Sequence, residues 1–190
     1  MTQYLAIDIE TIPNHEMVER LPEVKPKANL TDPVKKEADI AEKKQAQIDK
    51  MALSPLYGKV ACISLYGEGV QKVLIDDEAT MIKEFFNAIE AKHIITFNGK
   101  GFDLDFIVKR GIILGVCKLS DLEKYAGRYA KTHTDIMTEW CKYGEYMSLN
   151  ELSKAILNKE KLEFDFKEIP TLLQTEEGRA KLSEYCLNDS

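Results

Sequence analysis

Two acids placed two apart in the opening segment YLAIDIET, Asp8 and Glu10, are the first residues whose spacing invites chemistry. On a strand, successive side chains alternate faces, so both carboxylates emerge on one side within a few ångströms of each other. Bare, they would repel, and a hard divalent cation with oxygen ligands is the commonest compensation. A single D-x-E is more often two solvent-facing acids, so the pair needs company. In TFNGKGFDLDF, Asp103 follows an apolar strand and a Gly-containing loop and opens a helix. Alone it reads as a first-turn acid serving the helix dipole. In YCLND, Tyr185 and Asp189 are four apart and share a helix face. The order D-x-E, then N-x-x-x-F-D, then Y-x-x-x-D is a rarer accident than any one of the three.

The elements that must position these groups follow from periodicity. Residues 4–10 alternate, with Leu5, Ile7 and Ile9 opposite Ala6, Asp8 and Glu10, which predicts strand one. KVACISLY and VQKVLID, joined by Gly67-Glu-Gly69, predict an antiparallel hairpin over 59–76. DEATMIKEFFNAIEAK predicts an amphipathic helix, HIITF a short buried strand four, and Phe102 onward a further helix. If strands one and four are parallel neighbours, their ends bring Asp103 towards Asp8 and Glu10, in the crevice where open α/β sheets place ligands. Helices are expected over 132–143, 148–158 (with the capping box Ser148/Glu151) and 175–189. Residues 15–55 are polar and lysine-rich, with a solvated helix expected from Asp32-Pro33 to about Ala52, and read as an insertion after strand one. The expectation is one α/β domain over 1–190, a mixed sheet packed by helices.

Bulk properties limit the alternatives. At 190 residues and 44% hydrophobic, the chain can bury a real core. The four cysteines show no Cys-x-x-Cys spacing, so neither a zinc site nor a disulfide framework is indicated, and a reduced, cytoplasmic protein is expected. No run of about 18 apolar residues occurs, so no membrane association is expected. The net charge of -6 disfavours a polyanion partner. Its distribution offsets this, since residues 25–50 hold seven lysines against five acids, and cations bound at a carboxylate cluster reverse the local sign.

Taken together, Asp8-x-Glu10, Asn98-x-x-x-Phe102-Asp103 and Tyr185-x-x-x-Asp189 resemble the DEDD superfamily of 3′-to-5′ exonucleases in its tyrosine branch. They are most similar to the proofreading exonuclease domain of family B DNA polymerases. SPLYGKVACISL, HTDIMT and SLNELSKAIL are similar to intervening segments of related stand-alone exonucleases. The sister branch has a histidine five residues before the last aspartate, where this chain has Glu184. The resemblance implies a ribonuclease H-like fold. It also implies two Mg²⁺ or Mn²⁺ ions on Asp8, Glu10, Asp103 and Asp189, with Tyr185 as general base or water-orienting group. The substrate implied is the 3′ end of single-stranded DNA, with RNA as the alternative, and the products are 5′-mononucleotides.

Asn98 and Phe102 are expected at the terminal nucleotide, the main chain near Thr11 at its 3′ hydroxyl, and lysines 35, 36, 43 and 44 along the backbone. His133 is expected to be structural. Asp105 stands where relatives usually have proline, and is expected to face away. The sequence stops one residue after Asp189, which raises the expectation of a truncated domain with a frayed last ligand and of a catalytically impaired binding module. An aspartyl-nucleophile phosphatase, loosely suggested by AIDIET, fails on spacing because Thr11 falls one position early.

Overall fold

The computed structural model describes residues 3–142 and 144–189, apart from the side chain of Asp189. Its elements, in order, are β1 (Tyr4–Pro13), α1 (Pro33–Asp49), β2 (Gly58–Gly67), β3 (Val70–Leu74), α2 (Glu78–Ala88), β4 (His93–Thr96), α3 (Asp103–Ile113), α4 (Leu119–Asp121), β5 (His133–Asp135), α5 (Ile136–Trp140), α6 (Leu149–Leu157), α7 (Ile169–Leu172) and α8 (Glu176–Asp189). Two compact units are formed, one by Thr11–Lys59 and the other by Met1–Glu10 with Val60–Ser190. Among the described residues no helix is long and apolar enough to cross a membrane.

The larger unit is a mixed sheet of order β3-β2-β1-β4-β5 with flanking helices. β2 and β3 pair antiparallel, from Ile63 opposite Leu74 to Gly67 opposite Val70, and the turn between them uses Gly69 at φ 73°, a conformation that costs glycine little. β1 and β4 are parallel, with Leu5 opposite Ile94 and Ala6 opposite Ile95. β5 extends the parallel half through Ile94 opposite His133 and Thr96 opposite Asp135. Leu5, Ile7 and Ile9 sink into one core with Phe85 and Ile82 of α2 and Leu104, Phe106 and Ile107 of α3. The period-2 alternation of β1 therefore turns its other face, Ala6, Asp8 and Glu10, away from that core.

One ion pair bolts α2 and α3 to β2. The Arg110 guanidinium donates through Nε to Glu78 Oε1 (2.9 Å) and through Nη2 to Oε2 (2.7 Å). The same Oε1 accepts the Val60 amide at 2.8 Å. Arg110 is buried, so truncating Glu78 removes two charge-assisted hydrogen bonds from it in a poorly solvated place. Glu78→Ala is expected to lower unfolding stability by about 3 kcal/mol in urea titrations, well beyond the fraction of a kcal/mol typical of an exposed pair.

The expected helix over 132–143 is corrected: residues 133–135 are a strand and only Ile136–Trp140 are helical. Edge pairing with β4 claims His133 and Thr134, and Asp135 caps a helix that starts late, its side chain accepting the Thr138 amide. In the smaller unit Asp32 caps α1 by accepting the Val34 amide (2.9 Å), with Pro33 at the first helical position. Lys43 is held internally, 2.8 Å from Asp39 and donating to the Lys25 carbonyl, which engages one of the lysines expected to grip a nucleic-acid backbone. Lys43 and the Lys27 amide hold the Asp39 carboxyl below its ordinary range.

Candidate functional site

Asp8 and Glu10 lie on the face of β1 opposite the core. Asp8 is half-buried, and Glu10 is 7% exposed. Asp103 opens α3 and is 4% exposed. Its Oδ1 accepts the main-chain amide of Ile9 at 3.2 Å, the residue between the two acids of β1. The sequence-distant carboxylate is thereby tied to the middle of the D-x-E pair. This contact follows from topology: β4 runs parallel beside β1, and the loop after it turns directly into α3.

The electrostatics of Asp103 are dominated by burial. Burial pushes the Asp103 carboxyl up to about 7, opposed by its own amide and that of Ile9; the Asp135 charge adds to the rise, and Lys161 reduces it. Desolvation thus outweighs two favourable hydrogen bonds. Asp105, two residues further along α3 and so on another face, is drawn instead to Lys109 at 2.7 Å, as expected of an acid facing away from the site.

α8 carries Tyr185. Leu182, Tyr185 and Cys186 are its buried hydrophobic residues among those described, and Cys186 Sγ lies 3.0 Å from Cys62 Sγ on β2. The thiol of Cys186 is raised first by that contact and by burial, and also by the negative charges of Glu10 and Asp8, which places α8 alongside the acid pair. The Tyr185 ring stacks on Phe164 (centroids 4.2 Å apart, 20° between planes), meets Phe166 edge-on at 6.1 Å, and has the Lys161 ammonium 5.5 Å from its centre. Asp189 ends α8, and its side chain lies outside the described residues. Among the described residues no group of three or more His, Cys, Asp or Glu side chains is gathered closely enough to hold an ion. The donors that Asp8, Glu10 and Asp103 offer are all carboxylate oxygens, the type a hard divalent cation takes, and Asp103 is desolvated.

The other expected residues are spread more widely. Asn98 stands at the head of the loop into α3 with φ 66°, and Phe102 is partly buried, its ring 5.5 Å from that of Phe106. Thr11 belongs to the smaller unit, where its hydroxyl donates to the Ala52 carbonyl at 2.7 Å. His133 is structural: its Nε2 meets Thr96 Oγ1 at 2.7 Å and its Nδ1 the Tyr125 carbonyl oxygen at 2.9 Å, and burial lowers its pKa. A cavity of about 660 Å³, bordered by Ala6 of β1, is lined by Ile95, Phe97, Leu149, Leu152 and Asn188. Sequence reasoning missed Asp135 and Lys161, both of which act on Asp103. The role of Asp135 depends on a strand pairing that HTDIMT does not itself reveal, and the polar–apolar alternation of KLEFDF does not distinguish Lys161 from Glu163 or Asp165.

Comparison with known proteins gives a consistent picture. Residues 57–190 match a family described as "Predicted 3'-5' exonuclease related to the exonuclease domain of PolB". The chain is similar to DNA polymerases of Thermococcus litoralis and Thermococcus aggregans, 27% identical over 137 residues in each case, across 62% of this chain but only 8% and 7% of those proteins. In structure it is similar to the family B DNA polymerase from the archaeon Pyrobaculum calidifontis, with a TM-score of 0.58 and 14% identity over 100% of this chain and 23% of that one, a likeness of fold.

Proposed function

The chain belongs to the family of predicted 3′-5′ exonucleases related to the exonuclease domain of PolB, and from that premise we propose that it shortens single-stranded DNA from the 3′ end, releasing 5′-mononucleotides. The observation that carries the reading is the hydrogen bond from the Ile9 amide to Asp103, which ties the third carboxylate to the strand residue between Asp8 and Glu10. Asp8, Glu10, Asp103 and Asp189 would hold two Mg²⁺ or Mn²⁺ ions. Bound there, such ions activate water and screen charge on the scissile phosphate and its leaving oxygen.

The chain's own residues supply the rest. Burial keeps the carboxyl of Asp103 poorly solvated, so a cation replaces the solvation that folding removed. Tyr185 orients the attacking water through its hydroxyl, and the stacked Phe164 and edge-on Phe166 restrict where that ring can point. Lys161 brings a positive charge to the side of the site where a phosphate would lie. The neighbouring apolar cavity is within the size range of small-ligand pockets and suits the face of a nucleobase.

The test uses oligonucleotides labelled at either end, of DNA and of RNA, with Mg²⁺, Mn²⁺ or chelator. Stepwise loss from the 3′ end, abolished by chelator, is expected. Faster shortening of RNA would make the protein an exoribonuclease. Binding without shortening under any metal would make it a nucleic-acid-binding module of the same fold.

A further inference from the structure

Asp135 is the most completely enclosed acid of the larger unit, with 0% of its surface exposed, and lies at the end of the edge strand β5. Its carboxylate reaches across to the loop that follows β4. Oδ1 accepts the Asn98 amide at 2.8 Å, and Oδ2 accepts the Lys100 amide at 2.9 Å. Two residues earlier on the same strand, His133 holds Thr96 Oγ1, which accepts the Gly99 amide at 3.1 Å. Three consecutive loop amides are therefore tied down by, or through, side chains of β5. Gly99 lies so close against the Thr96 side chain that a Cβ there would collide with it, so the loop has little room to relax.

This suspension is transmitted directly to α3. The Asn98 carbonyl accepts the amides of Gly101 (3.0 Å) and Phe102 (2.9 Å), and the Gly99 carbonyl accepts that of Leu104 (2.9 Å). Whatever fixes Asn98 in its left-handed conformation thus also fixes the first turn of α3, where Phe102 and Asp103 sit. A carboxylate suits the task because both of its oxygens are acceptors; an asparagine offers one acceptor and turns an N–H donor towards the remaining amide.

We propose that Asp135 is a positioning residue of the exonuclease site: its carboxylate sets the Asn98–Gly101 loop so that Asn98, Phe102 and Asp103 together receive the 3′-terminal nucleotide. The proposal rests on the exonuclease reading.

Hydrogen exchange followed by NMR tests it first on the unaltered chain, where the Asn98 and Lys100 amides are expected to exchange as slowly as those of β4. Exchange at the rate of an open loop would overturn the proposal without any variant. In Asp135→Asn, the Lys100 amide is expected to exchange at least ~10-fold faster, the shift that follows from losing about one buried hydrogen bond. KM for a single-stranded 3′-hydroxyl oligonucleotide is expected to rise about tenfold with a smaller change in kcat, and affinity for thymidine 5′-monophosphate, measured without turnover, to fall by a similar factor. A merely structural acid would lower the melting temperature and the folded fraction, leaving KM and monophosphate affinity of the folded protein unchanged; that result would overturn the proposal. If the protection is present and sensitive to Asp135→Asn but the unaltered chain shortens no oligonucleotide, the exonuclease reading fails and only the anchoring of the loop survives.

Discussion

Asp8→Ala is expected to slow 3′-end shortening by on the order of 10³-fold or more, equivalent to roughly 4 kcal/mol of transition-state stabilisation. In the proposed arrangement Asp8 would be one of the residues that hold the ions, so its loss would remove a ligand from the site. Packing should survive the change. Asp8 is half-buried on the face of β1 away from the core, and a hydrogen bond from the Ser64 hydroxyl of β2 to its main-chain carbonyl (3.2 Å) is one that alanine retains. The check is a single-turnover assay with a labelled oligonucleotide, alongside a melting curve. A variant that melts like the unaltered chain yet shortens DNA at the same rate would remove Asp8 from the mechanism.

The second large effect is expected at Asp103, and it has opposite signs for activity and for stability. Burial holds its carboxyl at about 7 in the folded chain, against 3.8 ordinarily. Between pH 4 and 7 the unfolded chain gives up this proton while the folded chain keeps it. Folding stability without metal is therefore full below about pH 4, falls as pH rises through 7, and is flat beyond, a loss on the order of a few kcal/mol. A divalent ion binds the deprotonated form, so the melting temperature gained from Mn²⁺ should be small at pH 5.5 and large at pH 8. Activity at subsaturating metal should rise about tenfold between pH 6 and 8. Asp103→Asn keeps an oxygen for the Ile9 amide and carries no charge, so without metal it is expected to melt higher than the unaltered chain at pH 8 while losing activity as severely as Asp8→Ala. An unchanged or lower melting temperature at pH 8 would mean that the buried charge is compensated by other groups.

Much of this site is legible in the sequence because strand periodicity is unforgiving. A period-2 pattern that buries Leu5, Ile7 and Ile9 leaves Asp8 and Glu10 only one side to occupy. The parallel pairing of β1 and β4, and the short loop after β4, then bring Asp103 to the amide of Ile9. The helix expected at 132–143 failed for a reason that single-sequence patterns do not contain. Three residues, His133 to Asp135, become a strand because a neighbouring edge is available to pair with, and the role of Asp135 exists only once that edge strand is in place. Lys161 and Phe164 were illegible for a related reason. They lie in an irregular stretch between α6 and α7, and gain meaning only where that stretch passes over the Tyr185 ring.

The contact between Cys62 and Cys186 gives the last helix a built-in chemical reporter. Both sulfurs are fully enclosed, so an alkylating reagent reaches Cys186 only in those moments when α8 has swung away from β2, taking Tyr185 with it. Time-resolved labelling of that one sulfur, followed by mass spectrometry with and without Mn²⁺, would then count how often the site comes apart. If Asp8 and Asp189 held a cation as proposed, those openings would become rarer.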